Sequence, residues 1–237
     1  MPDRFFTPDL VFDQAEIVID QTEAHHLLHV LRAKPGLAVE VFNGQGLSAL
    51  GEIRECKRKE VVVALESFQR SAESTAGLTL AVALPKGDRA RWLVEKATEL
   101  GVSRLIPLET QRSVKELNKK GLAKLEQSVV AACKQSRRDW LMPITDSLNW
   151  QKFTEQQHEA GQPWGLCHLS EQTIPISQFA SENAGKSVTI AIGPEGGWTE
   201  EEADMAMRSG ASSLQLGSTI LRTETAALAV AALWNGF

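Results

Sequence analysis

Tyrosine is absent from the 237 residues and cysteine is scarce, with only Cys56, Cys133 and Cys167. The three cysteines lie far apart, form no CxxC pair and make no even count, which argues against a disulfide framework and a zinc site. They are expected to be reduced and buried. Long hydrophobic runs are also missing: the longest, AALAVAALW at 226–234, falls far short of the roughly 20 residues a membrane span needs. MPDRFFTPDLVFD has no apolar core behind a basic start, so no secretory leader is expected and the chain is expected to be cytoplasmic. No GxGxxG or GKS/T motif is present, which removes the usual cradles for a dinucleotide or a nucleoside triphosphate.

Nor is there a net positive charge to suggest a nucleic-acid partner, since the formal sum is −5. The distribution differs from the sum. Residues 71–150 carry 13 Lys/Arg against 9 Asp/Glu, whereas residues 151–237 carry 4 against 10. Between Arg112 and Arg138 there are eight basic residues and only Glu116 and Glu126 oppose them. Phosphate binding depends on such a local patch, although a solvated helix face reads the same way.

What is present divides the chain into a small N-terminal domain over 1–72 and a larger domain over 73–237, with QRSAESTA-Gly77 as the linker. The first part shows short strands at EIVI (16–19), AVEVFNG (38–44), ALGEIREC (49–56) and EVVVALESF (60–68), with Asn43-Gly44 as a hairpin signal, a pattern that favours a small β-barrel. One helix, QTEAHHLLHVLR, interrupts them, with Asp20 and Glu23 as a capping pair and Lys34-Pro35-Gly36 as its stop. From residue 77, strands and helices alternate. GLTLAVAL (77–84), VSRLIPLE (102–109), WGLCHLS (164–170), SVTIAI (187–192) and SLQL (213–216) read as strands. Asp88 is placed as the cap of a helix burying Leu93, Ala97 and Leu100, and a second helix over 122–136 stacks Leu122, Leu125, Val129 and Cys133. Alternation of this kind predicts an α/β fold with a mostly parallel sheet and helices on both faces.

Two loops carry the chemistry. IAIGPEGGWTEEE (190–202) runs from a strand through a glycine turn into a helix capped by Thr199 and Glu202. Ligands of open parallel sheets sit outside the carboxyl ends of strands, but Glu195 and Glu200–Glu202 make this an unfavourable phosphate cradle. A neutral or cationic ligand needing close backbone approach fits it better, and a sulfonium such as S-adenosylmethionine meets that description. LGSTILRTETA (216–226) also follows a strand and opens a helix apolar on nearly every side, which must be buried in a core or against a second subunit.

These two stretches, with PKGDRARWLVEKATELGV and the N-terminal HHLLHVLR, resemble the ribosomal RNA small subunit methyltransferase E family nearly end to end. The resemblance implies a PUA-like β-barrel followed by a SPOUT domain with a C-terminal trefoil knot, a homodimer, S-adenosylmethionine as methyl donor, and N3 methylation of one uridine, U1498, in 16S rRNA of the small ribosomal subunit. The cofactor pocket it implies comprises Leu169, Ile192, Gly193, Gly196, Gly197, Leu216, Gly217, Leu221 and Thr223. The chain departs from the family at Ser218-Thr219, where Pro-Arg is common, and at Gln111, where Glu is common.

Transfer to N3 of uracil requires removal of its proton and stabilisation of the resulting charge. Arg222 is the expected cation with Arg112 in reserve, and Glu195 or Glu224 is the expected proton acceptor. RNA contact is expected from His25, His26, His29 and Arg32, with His25, His29 and Arg32 on one helical face, and from Lys86, Arg89, Arg91, Lys134, Arg137 and Arg138. The His25/His29 spacing lacks a third ligand, so no metal is expected. Of the tryptophans, Trp92 and Trp234 are expected in the core and Trp198 to stack on a base. A ribosome-assembly factor without transfer activity, or a SPOUT enzyme acting on another RNA, are the alternative readings.

Overall fold

The computed structural model describes residues 2–19, 21–113, 117–168 and 173–236; of residues 21, 22 and 26 only the backbone is described. Asp20, Leu169 and the side chain of His26 therefore lie outside the described residues. In chain order the elements are β1 (Asp3–Phe6), β2 (Glu16–Ile19), α1 (Gln21–His25), β3 (Ala38–Phe42), β4 (Leu47–Cys56), β5 (Val61–Arg70), β6 (Leu78–Val82), α2 (Asp88–Glu99), β7 (Arg104–Glu109), α3 (Lys119–Ser136), β8 (Leu148–Asn149), α4 (Trp150–Ala160), β9 (Trp164–Cys167), β10 (Ile174–Pro175), α5 (Ile176–Glu182), β11 (Val188–Ile192), α6 (Glu200–Arg208), β12 (Ser212–Gln215) and α7 (Thr223–Asn235). Contacts divide them into two compact units, Met1–Glu73 with Val130–Leu141, and Ser74–Val129 with Met142–Phe237.

The first unit is built on a five-stranded sheet in the order β1-β3-β4-β5-β2. Alternation in β4 and β-branched residues in β5 bury Leu47, Ala49, Ile53, Val61 and Val63 with Phe5, Val39 and Val41. Register shifts at Leu50/Gly51 and Ile53/Glu55 bend the long β4–β5 pair. Gly44 and Gly46, at φ 74° and 84°, take the left-handed backbone of the β3–β4 turn, where the Asn43 carboxamide accepts from the Gln45 and Leu47 N–H groups at 2.8 and 3.1 Å. β1, which the sequence pattern did not disclose, pairs in parallel with β3. Its Arg4 is buried between Glu40 and Asp139, with the guanidinium 4.2 Å from the Phe42 ring centroid.

The predicted helix over 21–32 is shorter than expected. α1 ends at His25 and continues as a π-helical turn over His26–Val30, after which the Ala33 N–H reaches back to the Leu27 carbonyl at 3.0 Å. Arg32 has φ 51° and has left the helix. The wide turn consumes the extra residue, so the His25, His29 and Arg32 alignment fails at Arg32, while the His25 and His29 rings do meet at 4.6 Å.

The second unit contains a seven-stranded parallel sheet in the order β10-β12-β9-β11-β6-β7-β8. β11, VTIAI, is buried at every position because both of its edges are paired and both faces are covered. Ala81 and Ala191 face a core with Trp150 and Phe153 of α4 and Ala203 and Ala206 of α6, while α7 packs on β6 and β11 alongside α2 and α5. Helices on both faces are thus present. α2 starts differently from the prediction: Gly87, at φ 63°, is its N-cap without a side-chain bond, and Asp88 is its first helical residue. Asp88 therefore stabilises the first turn by its charge alone. No disulfide joins the cysteines among the described residues; Cys133 is buried, but Cys56 and Cys167 are only half-buried. Among the described residues no helix is long and apolar enough to cross a membrane, and no group of His, Cys, Asp and Glu could hold a metal.

Candidate functional site

β9, β11 and β12 are neighbours in the sheet and end at Cys167, Ile192 and Gln215. Their carboxyl ends open together, and the chain crosses from the β6–β7–β8 side of the sheet to the β9–β12 side there, the place where parallel sheets hold ligands. A pocket of about 390 Å³ lies at this edge. One wall is Cys167 and His168; a second is the whole run from Ile192 to Trp198; the third is the segment after β12, including Leu216, Gly217, Thr219, Ile220, Leu221 and Thr223. The volume is in the range of small-molecule sites.

The glycine loop is held from several sides. Its Pro194–Gly197 turn closes with a Gly197 N–H bond to the Pro194 carbonyl at 2.8 Å, and Gly197 takes φ 69°. Trp198 folds beneath it, 7% exposed, with its indole N–H donating to the Cys167 carbonyl at 3.0 Å and its ring 4.4 Å from that of Trp150. A Cβ on Gly193 would lie 2.9 Å from that indole. Arg112 donates to the Gly196 carbonyl at 2.7 Å and to the Trp198 carbonyl at 3.4 Å. The Thr223 hydroxyl, at the start of α7, donates to the Gly193 carbonyl at 3.0 Å.

The acidity of the loop now resolves into separate roles. Thr199 and Glu202 cap α6 reciprocally, and the second Glu202 oxygen accepts from the Gln111 N–H at 2.8 Å. Glu201 accepts from the Gln111 carboxamide at 3.3 Å. Only Glu195 among these carboxylates lines the pocket, and among the described residues no Lys or Arg side chain does. Burial pushes the Cys167 thiol up to about 12, so the thiol on that wall is uncharged near neutrality. The lining thus suits a ligand with a positive centre and apolar surface and opposes a diphosphate. A Cβ on Gly217 would meet nothing within 4 Å, which leaves main chain open to close approach from the pocket.

Of the predicted cofactor set, Ile192, Gly193, Gly196, Gly197, Leu216, Gly217, Leu221 and Thr223 all line this one pocket. Arg222 is exposed at the N-cap of α7, between two lining residues. Glu224, the alternative proton acceptor, pairs with Arg89, whose guanidinium lies 2.9 Å from Glu195 and 3.8 Å from Glu224. Arg89, expected from its charge to contact RNA, stands at this site instead, and its place in the helix that follows the carboxyl end of β6 is the sequence signal for it. The tryptophan expectations reverse: Trp198 is core, while Trp92 is 46% exposed on α2. Trp234 is half-buried. Burying Trp198 satisfies its N–H internally, whereas the outer face of α2 offers Trp92 no such cover.

The basic residues fall in different units. Lys86 and Arg91 are exposed in the second, where Arg91 also pairs with Glu95 at 2.8 Å. In the first unit, Lys134 bonds Glu23 at 2.7 Å, Arg137 bonds Glu40 and the Pro2 carbonyl, and burial lowers the pKa of the Arg138 guanidinium. His25 and His29 are exposed.

Residues 72–235 match the family model for the RNA methyltransferase domain, and residues 19–66 match that for the RNA methyltransferase PUA domain. Curated relatives named Ribosomal RNA small subunit methyltransferase E include those of Bacillus subtilis, 30% identical over 87% of this chain and 84% of that one, and Rickettsia conorii, 31% identical over 86% and 82%. Among solved structures, a Legionella pneumophila methyltransferase in complex with the cofactor SAM superposes with TM-score 0.89 at 26% identity, covering 100% of this chain and 98% of that one. The Neisseria gonorrhoeae Ribosomal RNA small subunit methyltransferase E bound to S-adenosyl methionine gives TM-score 0.88 at 25% identity, with 98% and 96% covered. Two family models laid end to end over the chain, and relatives matched over most of both lengths, place it in the ribosomal RNA small subunit methyltransferase E family.

Proposed function

We propose that this chain methylates N3 of one uridine, U1498, in 16S rRNA of the small ribosomal subunit, using S-adenosylmethionine. The observation that carries this reading is the pocket at the ends of β9, β11 and β12, where the described residues place one carboxylate and no Lys or Arg on the lining, which suits a sulfonium. Bound there, S-adenosylmethionine supplies a methyl group activated by the positive sulfur. Ile192, Leu216 and Leu221 supply apolar walls for the adenosine, and Gly193, Gly196, Gly197 and Gly217 allow main chain to approach it.

The chain's own part is to manage the proton and the charge of the base. Glu195 takes the N3 proton, because it lines the pocket whereas Glu224 does not; positioned acid–base groups contribute typically ~10²- to 10⁴-fold. Arg222 stabilises the charge that develops on the uracil oxygens, since Arg112 already serves the Gly196 and Trp198 carbonyls. His29, Lys86 and the predicted basic residues other than Arg89 steer the RNA, the active form is a cytoplasmic homodimer, and the segment after β12 forms the family's trefoil knot. Support for these finer points is the family membership together with the exposed apolar side chains Trp92, Ile220 and Leu233 in the second unit.

The test is transfer from labelled S-adenosylmethionine to small subunits lacking their native methylation, followed by nucleoside analysis. Appearance of 3-methyluridine is expected, and Arg222→Ala is expected to bind the cofactor normally while losing transfer. Cofactor binding without 3-methyluridine would point to another RNA; failure of both would favour an assembly factor.

A further inference from the structure

Arg89 occupies a position that its charge alone does not explain. It lies in the first turn of α2, immediately after Gly87, whose φ of 63° lets the chain turn from the end of β6 into the helix. From there one nitrogen of the guanidinium sits 2.9 Å from Glu195 in the glycine loop, and the other 3.8 Å from Glu224 in the first turn of α7. These two segments are already tied once, by the Thr223 hydroxyl on the Gly193 carbonyl. Glu224 is 6% exposed, and its second oxygen is buried with no hydrogen-bond partner among the described residues. A buried carboxylate in that state depends on a nearby cation. Glu195 is about one-third exposed, so solvent alone would leave its carboxylate free to rotate away from the pocket.

We infer that Arg89 is a positioning residue for the methyl-transfer step: its forked guanidinium is anchored by the buried Glu224 and holds the Glu195 carboxylate at the pocket, ready to accept the uracil N3 proton. This rests on the reading of Glu195 as the proton acceptor. The planar fork matters because two nitrogens reach two carboxylates at once, and a lysine, with one ammonium, keeps the charge but cannot bridge them. One oxygen of Glu195 is committed to Arg89, which leaves the other for the substrate proton. Arg89 thus acts through Glu195 and makes no phosphate contact.

The experiment compares the full-length wild type with Arg89→Lys, Arg89→Ala, Glu195→Gln and the Arg89→Lys/Glu195→Gln double variant on unmethylated small subunits. The expected result for Arg89→Lys is a kcat lowered about 10- to 100-fold, the scale of a misplaced catalytic group. KM for S-adenosylmethionine and the salt dependence of subunit binding should remain as in the wild type. Adding Glu195→Gln to Arg89→Lys should cost no more than Glu195→Gln alone, because residues acting as one unit are non-additive. Arg89→Ala also removes the cation from Glu224, so its melting temperature should fall while that of Arg89→Lys holds. Independent, multiplying losses in the double variant would overturn the inference, as would full kcat in Arg89→Lys. An Arg89→Ala variant that binds subunits more weakly, with the salt slope reduced by about one phosphate contact, would overturn it in favour of an RNA-contact role. A wild type that binds cofactor but makes no 3-methyluridine would instead sink the functional reading, and the inference with it.

Discussion

Individual side chains decide how the pocket is held. The Thr223 hydroxyl links the strand-end glycine to α7, so Thr223→Val, nearly isosteric, should leave the Gly193 carbonyl without its 3.0 Å donor. A lost hydrogen bond of about 1 kcal/mol corresponds to roughly fivefold weaker S-adenosylmethionine binding by titration calorimetry; unchanged affinity would show that this tie does not shape the pocket. Trp198→Phe removes the donor to the Cys167 carbonyl and part of the packing on Trp150. Unfolding free energy should fall by about 1–3 kcal/mol in urea melts while RNA affinity stays the same, since the indole is buried. Cys167 offers a pH-dependent readout. Its thiol is raised from 9.0 to about 12 by burial, so the folded state holds this proton more tightly than the unfolded chain. The sign follows: its contribution to stability is complete below pH 9 and is lost as pH rises towards 12. Alkylation of Cys167 at pH 8 should therefore be slow in the native protein although the residue is half-buried at the pocket, and rapid labelling would contradict the raised pKa of its thiol.

Elements explain which parts of the sequence pattern could be trusted. The strands flanked by long alternating or fully apolar runs, β2, β4, β5, β6 and β11, lie within a few residues of their predicted places because burial on one or both faces fixes register. β1 escaped because its residues, two charged and then two aromatic, do not alternate as those of β2 do, and its pairing with β3 is a parallel, non-local one. The π turn after α1 escaped because hydrophobic spacing describes the α-helix and gives no warning of an inserted residue. α6 shows the opposite case, a local rule that held: Thr199 and Glu202 cap it as the four-residue pattern predicts. The tertiary addition is that Glu202 also accepts from Gln111, 91 positions away. Glu202→Ala should thus cost more than a cap alone, about 2–3 kcal/mol, whereas Glu202→Gln should lose only about half of that because its one amide oxygen can replace one of the two acceptors. Equal losses in the two variants would mean that the charge rather than the hydrogen bonds matters.

Over the whole molecule, exposed apolar surface in the second unit is the feature a single chain does not use. Ile220 is 88% exposed, Leu233 47% and Trp92 46%, and the last two lie on α7 and α2, helices that pack together. A homodimer covering this surface is the proposed form. Leu233→Glu should convert the protein to a monomer by light scattering with little change in its fold; a dimer that survives that charge would place the interface elsewhere.

The sequence by itself determined the strand-and-helix alternation, the capped entry to α6, the acidic glycine loop that disfavours a diphosphate, and the family. These are properties of adjacent residues, and short-range sterics and charge suffice to read them. Eight of the nine predicted cofactor residues line one pocket, because motifs placed after parallel strands converge when the strands become neighbours. Tertiary structure alone decided which side chains those motifs meet: Trp198 under the loop, Arg112 on its carbonyls, and Arg89 between two glutamates over a hundred positions away. A charge in the sequence shows only that it needs a partner or water. Which of the two it receives depends on distances that exist only after the sheet has assembled.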